Sequence, residues 1–429
     1  MAEQSGEQAG SGQGPDGSSP GALTVLRTPA YRLLFLGSTA LYLAVHAQAI
    51  ARGWLARDLT GSNTGLGGVF LAFGLAMLVT TPFAGVAADR FPKRTVLTCA
   101  LLLLASTSAW LATAVLLDSV SYWMLVVAGA LQAVAFAVYA PARMAFIAEL
   151  VTRQQLGDAV VLAQMSQEGM RIAGPVLAGL LIAAATQGTG LVFAAGTVLG
   201  VVATATALRL PRGAARPTGA MASPLRQLGD AVRYVRGRHD LRALVLCSFA
   251  VVVLGFPYIA FLPTIADRVF EQGSLGYGLL STASAAGAVA AGVAVTRRRP
   301  RDPWRLVAWS GALFGLALVV LALAPSFATA LLVLVVVGGA TLVFQTTNQS
   351  LVLSLGAEEF HGRIQGLVML GFSGFGIAAL PLGLLADAIG IRETFALMGL
   401  ATLLAVAAFW RATGRYRGRP SGSQVVDLG

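Results

Sequence analysis

The chain has 429 residues, 56% hydrophobic and only 11% charged, with a formal net charge of +11. Soluble domains hold about 25% charged residues, so in water this composition would expose apolar patches larger than a stable monomer carries. A soluble enzyme or soluble binding module is excluded, and lipid is the fitting solvent. Two cysteines and three histidines show no metal or disulfide spacing, so neither a metal nor a cofactor is expected.

Residues 1–24 are polar and rich in Gly and Ser, and read as a disordered tail. They lack the basic start and apolar core of a cleaved signal peptide, so the first span is expected to act as its own insertion signal. Charge-free runs then occupy 33–51, 59–88, 95–117, 119–142, 172–208, 243–266, 272–296, 306–357, 364–386 and 394–410. A spanning helix needs about 20 apolar residues. Most runs hold one span, and 306–357 holds two, broken near Ala324-Pro325-Ser326. The run 172–208 holds one span at about 188–208 and the second half of another, which starts near Val160 and carries Glu168 and Arg171. The total is twelve transmembrane helices in an all-α membrane protein. Runs this long and continuous exclude a barrel of short alternating strands.

With the N-terminus inside, the odd-to-even loops hold four bases: Arg52, Arg57, Arg268 and Arg392. Arg171 falls within a span, and the other 25 of the 30 bases face the cytoplasm. This bias sets both termini inside an inner (plasma) membrane and accounts for the basicity without a nucleic-acid partner. Residues 209–242 form a long basic linker near the middle of the chain. Within it Leu225, Leu228, Val232 and Val235 share one helical face, which predicts an amphipathic helix lying on the inner membrane surface. The linker separates a bundle at 25–208 from a second at 243–411, with a cytoplasmic tail at 412–429. The halves repeat each other: GVAADR at 85–90 matches GVAVTR at 292–297, and GLLIAAA at 179–185 matches GLLADAI at 383–389. Two pseudo-symmetric six-helix bundles are a transporter plan.

The stretch GVAADRFPKR, residues 85–94, resembles the signature loop between helices 2 and 3 of the major facilitator superfamily, roughly G-x-x-x-D-R-x-G-R-K. Gly85, Asp89, Arg90, Lys93 and Arg94 match, and Pro92 stands where Gly is usual. ARGWLARDLTGS at 51–62, PAR at 141–143 and the Gly174-Pro175 and Gly179 positions resemble the branch that includes the enterobactin exporter and related drug and siderophore exporters. The superfamily likeness covers about residues 25–415. Physically, an acid at Asp89 is favoured beside a helix N-terminus of the other half, and Arg90, Lys93 and Arg94 anchor to the inner leaflet. The knot is expected to latch the cytoplasmic gate.

Ionisable groups inside spans are costly and are functional candidates. Glu168 and Arg171 share a helix face and with His46 are the proton-coupling candidates; a structural ion pair is the alternative. Gly174, Pro175 and Gly179 resemble the helix-5 antiporter signature, although Gly169 is one residue out of register and the paired glycine is single. Arg143 is placed at the cytoplasmic end of span 4, pairing with Glu149 or completing the gate, and Arg363 with Glu358 or Glu359. The resemblance makes spans 1, 4, 7 and 10 line a central cavity. Tyr42, Gln48, Gln132, Phe136, Tyr139, Phe256, Tyr258, Phe344, Gln345, Asn348 and Gln349 are then the substrate candidates. An apolar, aromatic cavity with a few amides suits a bulky amphiphile.

The leading expectation is proton-coupled export of a drug, siderophore or natural product by a monomer in contact with membrane lipids. Uptake, symport or lipid transport on the same fold is the alternative. The chain carries no nucleotide-binding signature, which disfavours an ATP-driven pump. A membrane enzyme fits less well because the histidines are scattered and the spans nearly free of acids, and a sensor because no soluble stretch would form an extra domain.

Overall fold

The computed structural model describes residues 22–152, 154–212, 224–297, 302–357 and 360–414. The expected tails and part of the linker fall outside these residues. A 3-10 turn, Ala22–Arg27, opens the folded body with Val25 already buried. The first bundle is α1 (Pro29–Thr60), α2 (Asn63–Arg90), α3 (Lys93–Leu116), α4 (Tyr122–Leu150), α5 (Leu156–Ala184) and α6 (Gly188–Leu208). The linker helix α7 (Pro224–Gly237) follows. The second bundle is α8 (His239–Leu254), α9 (Tyr258–Thr264), α10 (Gly273–Arg297), α11 (Pro303–Ala322), α12 (Phe327–Leu355), α13 (His361–Ile389) and α14 (Ile391–Ala412).

Among the described residues eleven stretches are long and apolar enough to cross a membrane. α8, α9 and the π-helical turn Ile265–Val269 form a single crossing, interrupted at Gly255-Phe256-Pro257. The twelfth span is α5, whose hydropathy is diluted by Asp158, Glu168 and Arg171. Boundaries follow local chemistry. Ser62 Oγ accepts from the Gly65 N–H at 3.0 Å to start α2, and Ser326 Oγ accepts from the Thr329 N–H at 3.3 Å to start α12. Gly61, at φ 62°, ends α1 in the left-handed conformation that glycine adopts without strain.

Two expected boundaries move. α1 does not end with its charge-free run but continues to Thr60, so Arg52 and Arg57 are buried helical residues and not loop charges. Their guanidinium groups find polar partners within the protein, which lets the helix run on. α5 starts at Leu156, so Glu168 lies twelve residues in, over three turns from the end.

Twelve spans put both ends of the folded body, and α7, on one face of the molecule, the terminal face. At the opposite, far face the bundles share one hydrophobic core: Ile50, Leu55, Leu66 and Val192 join Tyr258, Phe261, Leu280 and Phe395. Near the terminal face the first bundle keeps a separate core, with Tyr31, Leu41, Leu97, Tyr139 and Phe146. The molecule is closed at the far face.

α7 is amphipathic, but its apolar side is spent on protein rather than on a membrane surface. Ala231 and Val235 are buried, while Val232 points outward. Tyr234 stacks on Phe360 with ring centroids 4.2 Å apart, and its hydroxyl accepts from the Ala357 N–H at 3.1 Å. Arg363 lies over the Phe360 ring and pairs with Asp230 at 3.9 Å; Glu358 and Glu359, its expected partners, fall outside the described residues. An aromatic pair is worth about 0.5–1.5 kcal/mol beyond its burial. Tyr234→Ala is therefore expected to undock α7 and speed limited trypsin cleavage at Arg233 and Arg236 about three- to tenfold. Unchanged cleavage would show that Tyr234 does not hold the helix.

Candidate functional site

Among the described residues, the hydrogen bonds joining the two bundles gather at the far face. Asp387, in the last turn of α13, accepts from the Asn63 and Thr64 backbone N–H groups at 2.9 and 2.8 Å. It also accepts from Asn63 Nδ2 at 2.9 Å and Thr64 Oγ1 at 2.6 Å. These backbone donors open α2 and have no partner within it, and a negative charge there suits the helix dipole. Thr264 donates to Asn63 Oδ1 at 2.7 Å, Arg57 pairs with Asp267 at 3.1 Å, and Arg268 donates to the Gly61 carbonyl at 2.6 Å.

Below this seal the helices touch through glycines. Gly74 on α2 faces Gly376 on α13, while Gly67 packs on the backbone of Ala379 and Leu380 and Gly383 on that of Asn63 and Thr64. A Cβ on Gly376 would stand 2.8 Å from the Gly74 Cα, and one on Gly74 would stand 2.7 Å from the Ser373 carbonyl. α5 meets α10 in the same way: a Cβ on Gly278 would lie 2.8 Å from the Pro175 carbonyl and 3.2 Å from the Gly179 Cα. Gly174 packs on α1, where a Cβ would stand 2.7 Å from that of His46. Gly169, the residue out of register, touches nothing. Contacts of backbone on backbone let whole helices approach closely.

The membrane interior of the first bundle holds a polar cluster drawn from α1, α4 and α5. His46 stacks on Tyr42 at 6.3 Å between centroids, and Phe136 meets Tyr42 edge-on at 6.4 Å. Arg143 lies 5.0 Å over the Tyr42 ring and donates to Gln167 Oε1 at 3.3 Å, so its partners are these and not Glu149. Glu168 and Arg171 form the expected pair, 3.6 Å apart, with side chains 35% and 33% exposed. Arg171 also lies within electrostatic reach of His46. Charged groups within spanning helices almost always face the bundle interior or a water-filled cavity. The nitrogen atoms His46 Nε2 and Arg143 Nε are buried without a hydrogen-bond partner.

The other expected cavity residues are engaged in packing. Gln48 accepts from Ser108 at 3.0 Å, Tyr139 shares a 2.9 Å bond with Ser38, and Gln132 accepts from Arg52. Phe256 meets Phe314 and Phe372 edge-on, and Tyr258 bonds Ser284 at 2.9 Å. Asn348 donates to the Leu244 carbonyl at 3.3 Å, and Phe344 is wholly buried against Gly311. Gln345 and Gln349 are half-buried on α12.

In the signature loop, Gly85 and Asp89 lie in the last turns of α2, and the Asp89 side chain is outside the described residues. Arg90 is exposed and Lys93 buried. Arg94 turns to its own bundle, donating through Nη1 to the Leu210 carbonyl at 3.2 Å. Sequence reasoning looked for a carboxylate against a helix N-terminus at Asp89 and overlooked Asp387. The signal was present: an acid closing the 364–386 apolar run, within a segment already matched to the other half.

Comparison with known proteins places this architecture. Residues 20–417 match the family model described as "Transmembrane secretion effector". The staphyloferrin A transporter of Staphylococcus aureus is 22% identical over 393 residues, covering 88% of this chain and 95% of that protein. A bacterial homologue of the human lysosomal transporter Spinster, solved inward-facing and unoccupied, superposes with a TM-score of 0.71 at 15% identity, covering 93% of this chain and 98% of the other. A POT family transporter in complex with 5-aminolevulinic acid gives 0.73 at 10% identity, covering 90% and 96%.

Proposed function

This chain belongs to the transmembrane secretion effector family, a branch of the major facilitator transporters, and on that premise we propose that it exports a bulky amphiphilic small molecule in exchange for protons. The observation that carries the reading is the Glu168–Arg171 pair, one-third exposed in the middle of α5. A carboxylate there meets opposed effects: low polarity favours its neutral form, and the guanidinium favours its charged one. A change in water access as the bundles rock would alter that balance, which is what loading and releasing a proton requires. Gly174 and Gly179 place α5 against α1 and α10, so motion between the bundles would reach this pair directly.

In this reading the terminal face is cytoplasmic, by its excess of bases, and the far-face seal is the outer gate. Cargo loads from the cytoplasm while Asp387 holds the outer ends together. A distant relative named for a siderophore, staphyloferrin A, and the aromatic lining around Tyr42 support a cargo with a large apolar body.

The test uses everted membrane vesicles with a respiration-driven pH gradient, read by a quenched fluorescent amine. Amphiphilic drugs and siderophores are expected to dequench wild-type vesicles and to leave Glu168→Gln vesicles at the level of empty ones. Dequenching retained in Glu168→Gln would make the pair structural. No response to any compound in wild type would overturn antiport.

A further inference from the structure

The first bundle buries more positive charge than it balances. Arg52, Arg143 and Arg171 all lie within spanning helices. Arg171 has Glu168, but among the described residues no carboxylate lies within ion-pair distance of Arg52 or Arg143. Arg143 is 3% exposed and Arg52 8%. Their partners are neutral: Tyr42 and Gln167 for Arg143, and Gln132 for Arg52. A guanidinium cannot escape by losing its proton as a buried lysine or histidine does, and a buried charge left unpaired is strongly destabilising.

The two arginines differ in one respect. Arg52 sits high in α1 near the seal, where its amide partner and the neighbouring α10 enclose it. Arg143 sits in the terminal-face half of α4 and keeps its Nε–H buried and unmatched. It borders a small hollow lined by Tyr31, Leu34, Phe35, Ser38 and Ser166. The guanidinium lies over the Tyr42 ring and donates through Nη2 to Gln167, so its Nε–H is the donor left over. A guanidinium with an unmatched Nε–H is suited to a planar carboxylate.

We propose that Arg143 is the anchor for a carboxylate on the transported molecule, whose aromatic or apolar body rests against Tyr42, Phe136 and Phe35. This assignment rests on the export reading above, and it names the class of cargo: an amphiphilic organic acid. Selection works by desolvation. A neutral or cationic analogue would leave the buried guanidinium unpaired and add a cost of its own.

The test measures saturable binding of radiolabelled 1-naphthylacetate to the full-length protein in phosphatidylcholine nanodiscs by scintillation proximity, against empty discs. The isosteric amide 1-naphthylacetamide and the amine 1-naphthylmethylamine serve as competitors. The carboxylate is expected to bind at least tenfold tighter than either. Arg143→Gln should lose at least tenfold, and Arg143→Lys should keep part of the affinity. Elution as a single species and an unchanged thermal midpoint qualify each variant, and the competitor comparison in wild type needs no variant. Equal binding of the amide or amine, full affinity in Arg143→Gln, or no saturable carboxylate binding would each overturn the assignment. The same acid is then added to the everted vesicles. Binding without proton exchange would keep the site and sink the export reading; proton exchange with no preference for acids would do the reverse.

Discussion

Asp387→Ala is expected to spring the far face open. With Cys99 and Cys247 replaced by Ser, spin labels at Leu59→Cys and Ala388→Cys report the distance between the ends of α1 and α13 by pulsed electron resonance. The parent should give one dominant short distance, and the variant a majority at longer distance. The size of the shift follows from what is lost. Four hydrogen bonds end on one carboxylate, two of them from backbone N–H groups that α2 cannot satisfy itself. A hydrogen bond to a charged group is worth about 1.5–3 kcal/mol when its loss leaves a buried orphan. Here the Thr64 bonds are exposed, so water replaces much of the loss, and a net of about 2 kcal/mol remains. That is roughly a 30-fold change in the open-to-closed ratio. Asp387→Asn keeps acceptor oxygen without the charge and should fall between the two. Arg57 and Asp267 belong to the same seal, so a double variant is expected to be non-additive. An unchanged distance in Asp387→Ala would show that apolar packing alone closes this face.

Glycine substitutions should separate conformation from folding. Gly376→Val puts a branched side chain into the α2–α13 contact between bundles, where its Cβ alone would stand 2.8 Å from the Gly74 Cα. Each bundle can still fold, and the two must part. The variant is expected to purify as a monodisperse protein, to show the long far-face distance, and to lose transport at least tenfold. Gly338→Val acts inside the second bundle. There α12 lies against α10, and a Cβ would overlap the Ser284 carbonyl and stand 3.0 Å from its Cα. Neither helix can retreat without unpacking its own core, which includes Leu280, Leu334 and Val337. Overpacking typically costs about 1–3 kcal/mol and occasionally more. This contact is backbone on backbone, so the upper end is expected, seen as aggregation or a thermal midpoint lower by several degrees. If both variants fold and both open the far face, the distinction between the contacts is wrong.

Much of the fold was legible because lipid imposes a simple rule. Every backbone polar group must be paired within its own segment, so helix count follows from apolar run length. The Pro325 break and the 188–208 span were readable to within a few residues for that reason. The Glu168–Arg171 pair was legible because it is local: residues three apart on one helix share a face whatever surrounds them. The reading erred where a charge was assumed to end a span. Arg52 and Arg57 stay inside α1 because Gln132 and Asp267 receive them, and both partners come from other helices. Similarly, the pattern of α7 showed that one face is apolar but not that Phe360 and α13 would cover it.

The sequence by itself determined twelve spans, two related halves, the face that gathers the bases, and an ion pair in mid-membrane. Each of these depends on segment composition or on neighbours within a turn. Tertiary structure decided what seals the far face, which buried arginines keep an unmatched donor, Arg57 and Arg143 among the described residues, and which polar residues are consumed in packing. Asp387 and Asn63 are 324 positions apart, and their contact arises only when α13 crosses α2 on its glycines. No local periodicity encodes that crossing, because the small residues that permit it are chosen by the backbone on the other side.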